Sequence, residues 1–170
     1  VQSLALSVAG VLVLLWIMLR ALGTALLCLV PILFTVAVNF GFMGWAGIKF
    51  DLVSALIASV VVGVGIDYSI HVYSRYREER EAGRSPREAA VVTLVTTGRA
   101  VMLNAAAVAA GFLVLLISTF PPIRTFGLLT ALTMGVSSAA ALTVLPPLLV
   151  RADEARKARQ ARRAGVPAAR

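Results

Sequence analysis

The sequence predicts an all-α membrane protein, a bundle of five transmembrane helices, and three observations carry that expectation. Of 170 residues, 59% are hydrophobic and only 14% charged, with a mean hydropathy of +0.91, whereas a soluble domain carries roughly 45–50% apolar and about 25% charged residues. The basic residues gather at the edges of long apolar runs. Crossing a bilayer as a helix takes about 20 predominantly apolar residues at 1.5 Å of rise each, and five runs qualify: residues 1–19, 21–48, 52–74, 100–120 and 125–150.

The first run opens on Val1 with no initiator methionine and no basic region ahead of it, so it is not expected to be a secretory signal peptide, and the chain is expected to be a fragment of a longer protein. The second holds Pro31, Asn39, Gly41, Gly44 and Gly47, which predict a kink and a loose "FGFMGWAGIKF" end, with Trp45 in the interfacial aromatic belt. Its Cys28 is the only cysteine, which leaves no intrachain disulfide, no CxxC pair and no thiolate metal site; it is expected to be a small packing residue. The third run is interrupted only by Asp67 and His71.

Residues 76–99 then form a charged connection. Within it, "RSPREAAVVTLVTTG" places Ser85 where a helix N-cap belongs, Pro86 at the first helical position and Glu88 three residues after the cap, a capping box. A short helix lying at the interface is expected there, ending where Gly98 lets the chain turn into the fourth run. The fourth run carries Asn104 among alanines. Pro146 and Pro147 should bend or end the fifth. The tail, 151–170, has seven basic and two acidic residues among strong helix formers, and predicts a membrane-edge anchor in contact with lipid headgroups.

Five spans place the chain ends on opposite sides of the membrane. Assigning Arg20, the stretch Arg75–Arg99 and the tail to one side gives it 14 of the 16 Lys and Arg residues, leaving Lys49 and Arg124 opposite. The positive-inside rule makes that side cytoplasmic. The chain is therefore expected to begin outside and end inside, preceded by at least one more span and an exterior domain. The net charge of +8 is explained by orientation and by anionic lipid, without the aromatic-interleaved basic face of a nucleic-acid binder.

The chemistry concentrates in the third run. Positions four apart share a helix face, so Ser59, Gly63, Asp67 and His71 form one stripe, and Gly63 and Gly65 let a neighbouring helix approach closely. An ionised carboxylate at mid-bilayer costs about 2.5–3.5 kcal/mol on insertion scales. Lipid thus favours the neutral form, and a carboxyl that exchanges its proton with each side in turn becomes a carrier driven by the membrane potential. The plainer alternative is a structural carboxylate bonded to a neighbouring helix. Arg75 is about 12 Å along the axis, too far for a direct pair. Tyr68 can hydrogen-bond across helices. His71 can relay protons, its ordinary pKa being about 6.5, or sit as an interfacial residue. Asn104 reads as interhelical glue beside Asp67; Thr97, Thr130 and Thr133 are weaker candidates. There is no Walker motif, HExxH or serine elbow, so no enzyme activity, cofactor or metal is expected.

The segments "GVGIDYSIHVYSRYREER", "SPREAAVVTLVTTGRAVMLNAAAVAAGFLVLLISTFPPIRTFGLLTALTMG" and "LPPLL" together resemble the resistance-nodulation-division superfamily, specifically its MmpL-like lipid exporters and hopanoid-transporter relatives. The resemblance implies the last five spans of a C-terminal transmembrane half, shaped like a sterol-sensing domain, in the inner membrane of a bacterial cell. It implies proton-driven export of lipids or other hydrophobic compounds, with Asp67 and Tyr68 matching the family's Asp-Tyr proton relay; Ser59, Gly63, Gly65, His71 and Asn104 are the supporting residues expected from the reading of the third and fourth runs. Asn104 stands where relatives often have Ser or Thr. The partners implied are membrane lipids, the N-terminal half and exterior porter domain of the same protein, and a second copy in a homo-oligomer. Two other readings stay open: a protein-translocation accessory of the SecD/SecF type, and a non-transporting lipid-sensing module.

Overall fold

Inside hydrocarbon a single segment satisfies all its backbone groups only as a helix, and the apolar runs fold accordingly. The computed structural model describes residues 22–48 and 52–163, together with positions 6, 9, 10 and 13 as isolated helical residues; apart from these positions, the expected first span lies outside the described residues. Among the described residues there are five α-helices and no strand: α1 Leu22–Trp45, α2 Leu52–Glu81, α3 Pro86–Leu113, α4 Pro121–Thr143 and α5 Leu145–Arg163, with a 3-10 turn at Val114–Ile117 after α3. Gly23–Trp45, Pro86–Ile117 and Pro121–Gln160 are each long and apolar enough to cross a membrane. The 30 residues of α2 extend about 45 Å at 1.5 Å per residue.

Local chemistry sets the helix ends. At the end of α1, Gly47 takes a φ of 65°, the Ile48 N–H donates to Met43 O at 2.9 Å and the Gly47 N–H to Gly44 O at 3.4 Å. That pattern is a Schellman motif, whose left-handed residue favours glycine. The end of α2 repeats it with Gly83 at φ 87°, Arg84 N–H donating to Glu79 O and Gly83 N–H to Arg80 O. At the start of α3, Ser85 Oγ accepts from the Glu88 N–H at 3.3 Å while a Glu88 carboxylate oxygen accepts from the Ser85 N–H at 3.0 Å, the reciprocal cap expected from the sequence. These bonds hold the Glu88 carboxyl below its ordinary range.

Beyond that cap the structure corrects the reading of residues 86–99. No turn occurs at Gly98: α3 runs unbroken for 28 residues. Gly98 is buried, and a Cβ there would stand 3.4 Å from Leu142 Cδ2, so the glycine serves a close helix contact with the end of α4. Ala89, Ala90 and Thr93 are buried in the same helix, which makes this stretch part of the bundle wall. The fifth run divides at Thr143, where α4 ends, and α5 carries Pro146 and Pro147 at its second and third positions, where their missing N–H groups cost no helix bond.

Both α2 and α4 touch α1 and α3, whereas α1 and α3 do not meet, so α2 and α4 form the middle of the bundle and run antiparallel to the other two. Three apolar clusters fill it. At the basic end, Cys28, Ile32, Val72, Tyr76, Ala89 and Leu145 pack together. Tyr68, Val101, Ala105, Met134 and Ala141 form the middle cluster, and Met43 and Leu129 lie at the far end against Phe126. There α4 passes so close to the 3-10 turn that a Cβ on Gly127 would come within 2.6 Å of Phe112 O and 2.7 Å of Leu115 Cβ.

Candidate functional site

Consecutive helical residues are rotated by about 100°, so Asp67 and Tyr68 cannot face the same way. Tyr68 is only 3% exposed, packed among Val101, Ala105 and Met134. Asp67 lies on the other side, exposed, in line with exposed Gly63 and His71. The polar stripe read from the sequence thus runs along a face of α2 that the other described residues leave uncovered. Ser59 and Gly65 belong to α2 by their backbone, and nothing more is described of them.

The Tyr68 hydroxyl points into the bundle, where it donates to Met134 Sδ at 3.5 Å, a weak acceptor, and interacts with the Asn104 side chain. A cavity of about 190 Å³ opens beside it, lined by Tyr68, His71, Thr97, Ala100, Val101 and Asn104. Since a water occupies about 30 Å³ of liquid, the space holds several. The fold therefore gathers Tyr68, His71, Asn104 and Thr97 around one cavity between α2 and α3. Asp67 stands beside this group and outside its lining.

A second polar layer joins α1 to α4. Thr133 Oγ1 lies 2.7 Å from Leu129 O and 3.3 Å from Asn39 Oδ1, and Asn39 Nδ2 donates to Thr35 O at 3.1 Å. Buried Ser69 Oγ and Thr130 Oγ1 have no hydrogen-bond partner among the described residues. Sequence reasoning singled out Thr130 and Thr133 but missed Met134 and Ser69. Methionine in an apolar run carries no polar signal; Ser69, two positions past Asp67, was legible only as a small residue.

Toward the basic end, the charged face of α2 is internally paired. Arg75 bonds Glu78 at 3.1 Å and, like Arg84, holds buried Glu79, so the arginine nearest Asp67 is committed to carboxylates of its own helix. Asp153 of α5 accepts from the Tyr76 hydroxyl at 3.0 Å and from Arg80 Nε at 2.9 Å, both on one oxygen. Burial, and then the bond to this carboxylate, push the Tyr76 phenol above its ordinary pKa. Among the described residues no three His, Cys, Asp or Glu side chains converge on a point that could hold a metal.

Comparison with known proteins places these features in a wider context. The model of the MMPL family matches residues 2–167. A membrane protein of Methanocaldococcus jannaschii is 37% identical over 141 residues, covering 83% of this chain and 36% of the relative. The sulfolipid-1 exporter MmpL8 of Mycobacterium tuberculosis is 31% identical over 63% of this chain and 10% of its own length. The hopanoid transporter HpnN of Burkholderia multivorans is 29% identical over 82% of this chain and 16% of its own length. The chain thus spans about a third or less of these relatives.

Proposed function

The chain belongs to the MMPL family of multi-pass membrane proteins, and from that premise we propose that it is the membrane half-domain of a proton-motive-force-driven exporter of the RND type. The cargo in this reading is lipid or another hydrophobic compound, on the strength of the names of MmpL8 and HpnN. Asp67 is the proton carrier and Tyr68 its companion.

One observation carries the proposal: an acidic side chain on a face of a long helix that the other described residues leave uncovered, one residue from a buried tyrosine that borders a cavity with room for several waters. A charged carboxylate against lipid costs about 2.5–3.5 kcal/mol. Its face is therefore met, in this reading, by the remaining part of the full-length protein, which the limited coverage of the relatives leaves room for. Protonation neutralises Asp67 and relaxes that contact; deprotonation restores it. The cavity of Tyr68, His71 and Asn104 supplies water through which the proton travels. The basic end of the bundle is cytoplasmic, and the membrane is the bacterial inner membrane.

The test uses the full-length protein in sealed vesicles with an imposed pH gradient, comparing wild type, Asp67→Asn and Tyr68→Phe for proton movement and lipid export. Asp67→Asn keeps the side-chain shape and removes the titrating group, so both activities are expected to vanish, with Tyr68→Phe impaired. If Asp67→Asn transports protons as wild type does, the carboxylate is structural and the proposal fails. A lipid-sensing module would move no protons in either form.

A further inference from the structure

At the basic end, the start of α1, the end of α2 and α5 enclose a second cavity of about 190 Å³. Its charged wall is made by Arg77, Arg80 and Arg156, its polar wall by Tyr73 and Thr24, and its apolar wall by Leu27 and Leu149. The charges do not balance. Arg77 is paired with Glu81 at 2.7 Å, and Arg80 with Asp153, the one carboxylate in the lining, which also serves the Tyr76 hydroxyl. Arg156 has no carboxylate partner among the described residues, and its guanidinium reaches to Gly23, where a Cβ would stand 3.7 Å from Nη2.

Gly23 lies in the first described turn of α1, so Arg156 stands at the end of the bundle where Arg77 and Arg80 already gather. Within the lining three guanidinium groups face one carboxylate, a surplus of positive charge that an anion bound among them would offset. The cleft offers such an anion guanidinium donors and hydroxyls, with leucines beside them.

We propose that this cleft binds a phosphate-bearing anion, and that the phosphodiester of an anionic phospholipid is the source its apolar wall favours. The headgroup lies between Arg156 and Arg77, beside Thr24, and the first acyl carbons lie along Leu27 and Leu149. Bound there, the lipid joins the carrier helix α2 to the tail. Only the leaflet concerned rests on the orientation proposed above; the binding itself does not depend on proton transport.

The experiment places the full-length protein in nanodiscs of equal phosphatidylglycerol and phosphatidylcholine and counts retained lipids by native mass spectrometry. Removing one basic contact weakens such binding about fivefold. Arg156→Gln is therefore expected to lose retained phosphatidylglycerol by that factor, whereas Arg159→Gln, which removes the same charge from a residue outside the lining, keeps it. A parallel arm gives millimolar inorganic phosphate to lipid-free protein in detergent and follows amide exchange at residues 152–156. Protection there by phosphate, without phosphatidylglycerol retention, keeps the anion site and overturns the lipid as its source. Equal loss in both variants means diffuse attraction to a basic tail and overturns the site, as does the absence of any preference for phosphatidylglycerol over phosphatidylcholine. Unchanged amide exchange in α3 of Arg156→Gln verifies that the variant is folded.

Discussion

Replacing Asp153 by alanine removes the acceptor of two bonds at once, from the Tyr76 hydroxyl at 3.0 Å and from Arg80 Nε at 2.9 Å. The ion-pair side chains are 22% and 25% exposed, so water screens them only in part. A hydrogen bond to a charged group contributes about 1.5–3 kcal/mol and an exposed ion pair about 0.2–1 kcal/mol. Taking the low end of the first and the middle of the second gives about 2 kcal/mol, or a factor of about 30 in the ratio of docked to undocked tail. The other ion pair from the tail to the bundle among the described residues, Arg87 to Glu154 at 3.4 Å, joins side chains 82% and 48% exposed and offers little. Leu145 and Leu149 are buried and keep the start of α5 in place. Hydrogen exchange of the full-length protein should therefore show amide protection in residues 153–160 falling about 30-fold in Asp153→Ala, with α3 and α4 unchanged. Asp153→Asn retains an oxygen for Tyr76 and should lose less. Unchanged protection in Asp153→Ala would mean that the tail is not held by this carboxylate, and the reasoning fails; loss spreading into α4 would mean that Asp153 belongs to the core.

The tether also has a pH signature: with the Tyr76 phenol raised, the stability it contributes is fully present below the unfolded tyrosine pKa of about 10 and declines only as pH climbs above it. Tail protection should accordingly be flat from neutral to mildly alkaline pH. Gly127→Ala forces a Cβ against the backbone of Phe112, and overpacking of this kind costs about 1–3 kcal/mol, to be seen as a lowered unfolding midpoint in detergent. Gly98→Ala meets only the flexible end of Leu142 and gains helix propensity, so the same assay should place it within about 1 kcal/mol of wild type. Ser85→Ala loses the acceptor for the Glu88 N–H and should lower exchange protection in the first turn of α3 about fivefold. Because the Glu88 carboxyl is held below its ordinary range, the intact cap should weaken only in acid, as pH falls through that lowered value.

What could be read from the sequence followed from local rules. The capping box at Ser85 and Glu88 needs only residues three apart, and the opposite facing of Asp67 and Tyr68 follows from helical rotation alone. The stripe Gly63, Asp67, His71 was legible for the same reason. Gly98 was misread because one residue type serves both turns and tight helix contacts, and only the presence of Leu142, 44 positions later, decides between them. Met134 as the neighbour of the Tyr68 hydroxyl, 66 residues away, and Asp153 as the partner of Tyr76, 77 residues away, depend on how helices are ordered around the bundle, which no local pattern encodes. Composition could announce a basic tail, but not that Asp153 would hold it against α2 and Glu154 meet Arg87 of α3.

That α2 continues without interruption from Asp67 to Arg80 makes it a lever. Thirteen residues separate the two positions, about 20 Å along the axis. Pivoting the rod by about 10° at Asp67 would sweep its far end through about 3.5 Å, more than the length of either bond to Asp153. The tail must then swing with the rod or let go of it. Any event that tips the helix at its midpoint is magnified into a displacement in water, at a place where a lipid, an antibody fragment or a fluorescent label could register it.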